Sequence, residues 1–116
     1  MSRILVVDDN ELVRNMTDLV LRSSGHDTLT ADSATVALGL LDDSIDAVVT
    51  DLTMPGEMDG GDLVGHVRER FPSIGIVVIS GYSVEAGRFD DAVEILNKPF
   101  GVDQLSAAVA RVVPGA

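Results

Sequence analysis

Short runs of apolar residues alternate along the chain with segments whose apolar residues recur at helical spacing. The runs have the length of β-strands and are rich in β-branched residues. They lie at Arg3–Val7, 47–50, 76–79 and 93–96. Asp27–Ala31 can form a further short strand, the second along the chain, because Thr28 and Thr30 favour β-structure. Alternating strands and helices with short connections predict a single α/β domain, in which helices cover both faces of a doubly wound parallel sheet. Right-handed crossovers then bring the carboxyl ends of all the strands to one edge of the sheet.

The segments between these runs carry the signals of amphipathic helices. The first helix is preceded by Asn10, a favourable N-cap, and followed by Gly25, a favourable stop. Ser33 precedes the second helix, the third ends before Pro72, and the last begins near Val102 and ends before the next proline. The positions expected to face the core are Leu12, Val13, Met16, Leu19 and Val20 in the first helix, Val36, Ala37, Leu40 and Leu41 in the second, Leu63, Val64 and Val67 in the third, and Leu105, Ala108, Val109 and Val112 in the last.

Residues 83–91 carry the weakest helical signal of the chain. The segment is short, has Gly87 in its middle and offers only Val84, Ala86 and Phe89 as apolar contacts. We therefore expect a short or irregular fourth helix between the fourth and fifth strands.

Composition limits the classes of function. The chain has 116 residues, 46% of them apolar, which predicts one folded domain over residues 1–116 and no output domain. Nineteen acidic residues against eight basic ones give a net charge of −11, which disfavours direct nucleic-acid binding and favours a cation or a basic partner surface. Without a cysteine or an apolar run of membrane-spanning length, the chain is expected to be soluble and cytoplasmic and not to contact a membrane.

Polar side chains that can cooperate in one site follow four of the five predicted strands. Asp8 and Asp9 follow the first strand, and Asp51 follows the third. Ser80 follows the fourth strand and Lys98 follows the fifth. Adjacent parallel strands lie about 4.7 to 4.9 Å apart, so acids on neighbouring strands can bind one cation. Without a cation, two carboxylates ~4 Å apart repel each other by roughly 4 kcal/mol at an effective dielectric constant of about 20.

The residue types at these strand ends favour Mg²⁺ and phosphoryl chemistry. Hard oxygen ligands without a nearby histidine or cysteine suit Mg²⁺, which Mn²⁺ or Ca²⁺ can replace in vitro. A carboxylate beside such an ion is either a ligand alone or also a nucleophile that accepts a phosphoryl group. Ser80 and Lys98 favour the second role for Asp51, because a hydroxyl and an ammonium group both bind phosphoryl oxygens and a simple metal site needs neither.

Several motifs occur in the order that is typical of one known family. They are LVVDDN at the first strand, VVTDLTMPG at the third, ISG at the fourth and NKPF at the fifth. Over nearly its whole length the chain resembles the receiver domains of two-component response regulators. The resemblance implies a flavodoxin-like or CheY-like (βα)5 fold with a five-stranded sheet of order 2-1-3-4-5. It also implies a phosphoacceptor signalling switch that takes its phosphoryl group from a phosphohistidine on a histidine kinase or a histidine phosphotransfer protein.

The resemblance also implies roles for individual residues. The catalytic set would be the phosphoacceptor Asp51, the switch hydroxyl of Ser80 and the phosphate-pairing Lys98. The ligands of Mg²⁺ would be Asp8, Asp9, Asp51 and the backbone carbonyl of Thr53. Pro99 is expected to follow a cis peptide bond. Such a domain catalyses its own phosphorylation and slow autodephosphorylation and is not a turnover enzyme in the usual sense.

Some features depart from the common receiver pattern. Three positions before Lys98 lies Ile95, where many receivers have an aromatic ring that couples to the switch hydroxyl. The loop MPGEMDG is one residue longer than the common form, and Tyr82 occurs in an SGY segment. Together with the short interval from Ser80 to Lys98, these features resemble the receivers of hybrid sensor kinases. The positions expected to modulate the switch are Thr53, Tyr82, Ile95 and Pro99.

The resemblance implies an output through a protein partner. Phosphorylation would reshape the face formed by the predicted fourth helix, the fifth strand and the last helix, and the domain is expected to be a monomer or a weak dimer. The partner that reads this face is not named by the sequence.

Three other functions stay open at the level of the residues. A metal-dependent phosphohydrolase is the main alternative, because residues 51–53 partly match its aspartyl nucleophile motif. Such enzymes place a second aspartate where this chain has Thr53, and a cap domain would not fit in 116 residues. An unphosphorylated binding module would have no affinity for Mg²⁺. A dinucleotide-binding domain is disfavoured because Asp8, Asp9 and Asn10 occupy the place of its glycine-rich turn.

Overall fold

The computed structural model describes residues 2–85 and 87–113, and its strands agree closely with the predicted ones. They are β1 (Arg3–Val7), β2 (Asp27–Ala31), β3 (Ala47–Asp51), β4 (Gly75–Ser80) and β5 (Val93–Asn97). All five pair in parallel in one sheet of order β2-β1-β3-β4-β5, which confirms the fold class and the strand order implied by the resemblance.

Within the described residues, four α-helices cover the two faces of the sheet. They are α1 (Glu11–Ser23), α2 (Ala34–Leu40), α3 (Gly60–Arg70) and α4 (Val102–Val112). The sheet separates two apolar cores, one under α2 and α3 and the other under α1 and α4. Because both faces are covered, β3 is buried at every residue. No helix in the described part of the chain has both the length and the apolar character needed to cross a membrane.

Local sequence signals explain where the helices begin. The Asn10 side chain accepts a hydrogen bond from the backbone N–H of Val13 at 3.1 Å, and Ser33 caps α2 in the same way at 3.1 Å. Both caps were predicted from the sequence. Helix α3 begins with a reciprocal capping box between Asp59 and Asp62, a signal that the sequence carries as D-x-x-D.

The prediction of a fourth helix between β4 and β5 is wrong. Connection 81–92 contains bends and turns and no helix in its described residues, and Ala86 lies outside the described part. Gly87 adopts φ of 86°, a left-handed conformation that does not continue a right-handed helix. Beyond Gly87, the N–H of Arg88 donates back to the carbonyl of Glu85 at 3.2 Å. The predicted (βα)5 pattern is therefore reduced to five strands and four helices in the described residues.

The predicted buried face of α1 is wrong in part. Leu12, Met16 and Leu19 are 79%, 46% and 65% exposed, whereas Thr17 and Leu21 are buried. The helix has two apolar stripes. The stripe that faces the sheet includes Thr17, a polar residue that is not counted when a buried face is predicted from apolar residues alone. Periodicity therefore predicted the helix correctly but could not decide which stripe faces the core.

The predicted buried face of α2 is also wrong in part. Val36 and Leu40 are 48% and 36% exposed. The predicted Ala37 and Leu41 do pack against the core, together with Ala34 and Leu38. In α3 and α4 the predictions are confirmed, with buried side chains at Leu63, Val64, Val67, Leu105, Ala108 and Val109 and a half-buried one at Val112.

The strand register brings the predicted site residues to one edge. Val7 of β1 pairs with Thr50 of β3, and Asp51 of β3 pairs with Ile79 of β4. Asp8, one residue beyond β1, therefore lies beside Asp51 at the carboxyl edge of the sheet.

Candidate functional site

Three carboxylates meet at the carboxyl edge of the sheet. Asp8, Asp9 and Asp51 each offer an oxygen atom within 4.8 Å of those of the other two residues. Asp8 and Asp51 are buried, at 2% and 7% exposure, and Asp9 is exposed. The three acidic residues of the predicted metal site are thus brought together, with one carboxylate open to solvent.

The surroundings of Asp8 act against the ionised form of its carboxyl group. Burial raises the pKa of the Asp8 carboxyl above its ordinary value, and the charges of Asp51 and Asp9 act in the same direction. The backbone N–H of Asn10, which donates to Asp8 Oδ1 at 2.9 Å, and the ammonium group of Lys98 oppose this shift. The net direction shows that the site disfavours the ionised form of Asp8.

The same residues fit a divalent cation. Asp8 Oδ2 is buried and has no hydrogen-bond partner among the described residues. An unpaired buried carboxylate oxygen is costly, and a cation among the three acids would satisfy it and offset their repulsion. An all-oxygen set of few carboxylates with one side open to solvent has the chemistry that Mg²⁺ prefers.

A lysine from β5 reaches the acid at the end of β3. Lys98 Nζ lies 3.4 Å from Asp51 Oδ2, so this predicted pair is in contact. The backbone N–H of Lys98 donates to the carbonyl of Ser80 at 2.8 Å, which holds the end of β5 against the end of β4. The peptide bond between Lys98 and Pro99 is cis, as predicted.

Ser80 lies at the same edge, but its hydroxyl is bonded elsewhere. The buried Ser80 Oγ donates to the carbonyl of Tyr82 at 2.8 Å and accepts from the N–H of Tyr82 at 3.1 Å. Among the described residues, no hydrogen bond joins Ser80 to Asp51. The Tyr82 side chain itself is 77% exposed.

The other predicted modulatory residues flank this edge. Thr53 is exposed in the loop after β3. Ile95 lies within β5, where it pairs with Val78 in the sheet register, and is 38% exposed. An aliphatic side chain at this position has no ring to move between exposed and buried positions.

Gly60 and Arg14 belong to the site but were not recognised in the sequence. A Cβ atom on Gly60 would lie 1.8 Å from the carbonyl oxygen of Asp51, so only glycine allows α3 to begin this close to the acid. Arg14 Nη1 donates to the carbonyl of Asp8 at 2.9 Å. The spacing D-D-x-x-x-x-R places an arginine one turn into α1, but its partner is a backbone atom that no motif reveals.

Comparison with known proteins identifies the family of this chain. The family model of the response regulator receiver domain matches residues 4–110. The chain belongs to this family. Receiver domains of response regulators are phosphoacceptor signalling domains that interact with histidine kinases or phosphotransfer proteins.

The relatives of this receiver domain include response regulators and a kinase. The chain is 34% identical to response regulator protein FleR of Pseudomonas aeruginosa, with 95% of the chain and 24% of FleR covered. It is 32% identical to sensor kinase CckA of Brucella abortus, with 97% of the chain and 12% of CckA covered. The chain therefore spans about a quarter or less of these curated relatives. The predicted likeness to receivers of hybrid kinases is confirmed, since the receiver of hybrid histidine kinase CckA is among the matching structures.

The fold agrees with solved receivers. A response regulator receiver protein from Sinorhizobium medicae superposes with a TM-score of 0.89 at 30% identity, over 96% of this chain and 93% of that one.

Proposed function

We propose that this domain is a phosphorelay switch in which Asp51 accepts a phosphoryl group from a phosphohistidine of a histidine kinase or a histidine phosphotransfer protein. The observation that carries the proposal is the position of Asp51, which ends a buried strand, contacts Lys98 at 3.4 Å and lies within 4.8 Å of two further carboxylates. This arrangement combines a nucleophile, a cation for phosphoryl oxygens and a set of metal ligands.

Mg²⁺ is the metal that we propose for the acid cluster. Asp8, Asp9 and Asp51 would hold it, together with the backbone carbonyl of Thr53. When bound, Mg²⁺ neutralises charge on the transferring phosphoryl group and on the acids around it. The buried, unpaired Oδ2 of Asp8 supports this assignment, since the ion would satisfy it.

The chain's own residues account for the transfer step. A carboxylate oxygen of Asp51 attacks phosphorus as the phosphorus–nitrogen bond of the phosphohistidine breaks, and the electron pair of that bond stays with the departing imidazole. Transfer of this kind depends on positioning and charge neutralisation more than on acid–base catalysis. Lys98 supplies the positive charge from a side chain that already touches Asp51, at 3.4 Å.

The hydrogen bonds of Ser80 suggest how the phosphorylated state is read. To donate to a phosphoryl oxygen on Asp51, the Ser80 hydroxyl has to leave the carbonyl of Tyr82, to which it donates at 2.8 Å. Connection 81–92 then loses one of its attachments to the end of β4. We propose that the output face consists of this connection, β5 and α4, and that Ile95 does not act as an aromatic relay.

Thr53 and Tyr82 are proposed to set the lifetime of the phosphoryl group. Both are exposed, and they lie two residues beyond Asp51 and Ser80 respectively. Thr53→Asn and Tyr82→Ala should each change the rate of phosphoryl loss, measured by the decay of the phosphorylated mass over time. Decay rates equal to that of the native chain in both variants would contradict this assignment.

We further propose a cytoplasmic location and a monomer or weak dimer for this domain. The chain contains no cysteine, which suits a reducing compartment. Its net charge of −11 opposes close association of copies at low ionic strength.

The experiment that tests the proposed function is Mg²⁺-dependent phosphorylation followed by intact mass. The native chain should gain one phosphoryl group from acetyl phosphate or from a phosphorylated histidine phosphotransfer protein, and chelation of Mg²⁺ should prevent the gain. Asp51→Ala serves as the control and should gain none. No adduct on the native chain with either donor, or an equal adduct on Asp51→Ala, would exclude the proposal.

A further inference from the structure

We infer that Arg14 is a positioning residue for the acid pair, and that it acts by holding the backbone of Asp8 and not by its charge. The inference rests on the Mg²⁺ site of the proposed function. Arg14 Nη1 donates to the carbonyl oxygen of Asp8 at 2.9 Å, in a partly buried contact that joins α1 to the end of β1.

The atom that Arg14 binds controls the direction of Asp9. The carbonyl of Asp8 belongs to the peptide bond between Asp8 and Asp9, and this bond is planar. Fixing its carbonyl oxygen therefore fixes the plane in which the chain leaves β1 and the position of the Asp9 Cα atom, from which the Asp9 side chain extends. Asp9 is exposed and has no buried surroundings of its own to hold it.

The remaining polar atoms of Asp8 are also engaged, with one exception. Its N–H donates to the carbonyl of Ala31 at 3.1 Å, and its Oδ1 accepts from the N–H of Asn10 at 2.9 Å. With the carbonyl held by Arg14, only Oδ2 has no partner among the described residues. Asp8 is thus fixed at three atoms, and the fourth is the one available to a cation.

The hydrogen-bond partner of Arg14 is a backbone carbonyl and not a carboxylate, which distinguishes a positioning role from a simple effect of its positive charge. In the described residues it forms no ion pair within 4.0 Å, whereas Arg22 on the same helix pairs with Asp18 at 4.0 Å. A positive charge near the acids should by itself weaken binding of a divalent cation, so its removal should strengthen binding. Loss of an orienting hydrogen bond should instead weaken binding. The two roles therefore predict changes of opposite sign.

The test is Mg²⁺ binding to the full, unphosphorylated chain, measured by titration calorimetry. Arg14→Met should weaken Mg²⁺ binding by about tenfold, which is typical of losing a group that orients a metal ligand. Arg14→Lys, which keeps a donor and the charge, should recover part of the affinity. Arg22→Met is the matched control, since it removes an arginine from the exposed side of the same helix, and should change the affinity by less than about twofold.

A second measurement separates positioning from a general loss of structure. The thermal midpoint of Arg14→Met without Mg²⁺ should stay close to that of Arg22→Met. Unchanged or tighter Mg²⁺ binding in Arg14→Met would overturn the inference, and so would a metal-free midpoint well below that of the control. If Arg14→Met does not fold, the result with Arg14→Lys decides, since native affinity there would also overturn it. Failure of the proposed function is distinct, because the native chain itself would then bind no Mg²⁺.

Discussion

Burial of Asp8 beside Asp51 costs the folded protein free energy, because a carboxylate is removed from water next to a second negative charge. Its folded-state pKa is raised, so the contribution of Asp8 to stability is greatest below the unfolded-state pKa and is lost as the pH rises through the folded-state pKa. Ionisation of Asp8 is therefore unfavourable in the metal-free protein. Function and stability are in conflict here.

Replacement of Asp8 by asparagine should make this conflict measurable. Asp8→Asn removes the charge and keeps a side-chain oxygen to accept from Asn10, so the metal-free chain should gain on the order of 1 kcal/mol in unfolding free energy. Mg²⁺ should no longer raise the stability of the variant. Thermal unfolding of both proteins with and without Mg²⁺ checks this expectation. A metal-free midpoint for Asp8→Asn below that of the native chain would contradict it.

At the residue scale the sequence reveals functional side chains but not the atoms they contact. Asp8, Asp9, Asp51 and Lys98 could be found because each follows a strand, and strand ends are local signals. The contact of Arg14 with the Asp8 carbonyl depends on how α1 packs on the sheet, which no local pattern determines.

At the scale of elements, α3 is positioned by the absence of a side chain. The N–H of Gly60 donates to the carbonyl of Leu52 at 3.0 Å, and its Cα lies against the backbone of Asp51. By helix propensity alone, the glycines of α3 would only weaken it. The sequence could not indicate that Gly60 is needed for a close approach, whereas Gly65 has open space around its Cα.

Replacing Gly60 or Gly65 by alanine should therefore have opposite effects on the free energy of unfolding. In Gly60→Ala the new Cβ would lie 1.8 Å from the Asp51 carbonyl oxygen, and α3 would have to move. The variant should lose about 1 to 3 kcal/mol of unfolding free energy. Gly65→Ala, the matched control in the same helix, should gain up to about 1 kcal/mol. Urea unfolding measures both, and a Gly60→Ala variant as stable as Gly65→Ala would refute the close approach.

The two stripes of α1 lead to a second prediction for an element. Leu21 is fully buried, and Leu19 is 65% exposed. Leu21→Ala should lower the free energy of unfolding by about 2 to 5 kcal/mol, because it leaves a cavity in the core under α1 and α4. Leu19→Ala should change the unfolding free energy by less than about 0.5 kcal/mol. Equal losses in denaturant unfolding would mean that the exposed stripe has been misidentified.

Connection 81–92 shows where element prediction from sequence reaches its limit. The helical signal of this segment is weak because it has few apolar residues and contains Gly87. Its described residues form bends and turns and no helix. An ion pair from Arg68 of α3 to Asp90, at 3.0 Å, fastens this connection to the body of the domain. Such a long-range contact between polar residues has no periodic signature.

At the scale of the whole molecule, the sheet and its edge follow directly from the sequence. The alternation of strands and helices predicted from the sequence indicates parallel pairing and places the strand ends together. The parallel sheet forms even though no helix separates β4 from β5 in the described residues. The strand order itself came from the family resemblance, since alternation is compatible with more than one order. The sequence did not show which face of α1 and of α2 packs against the sheet. Only the structure shows which of their apolar residues are buried and which are exposed.

The measurement that tests the central claim most directly is the chemical location of the phosphoryl group. The native chain would be phosphorylated with Mg²⁺, reduced with borohydride, which converts an aspartyl phosphate to homoserine, and digested for peptide mapping. We expect homoserine at position 51 alone, and none when Mg²⁺ is chelated. Homoserine at Asp8 or Asp9, or its complete absence from a chain that has gained a phosphoryl group, would contradict the account of Asp51 as the phosphoacceptor.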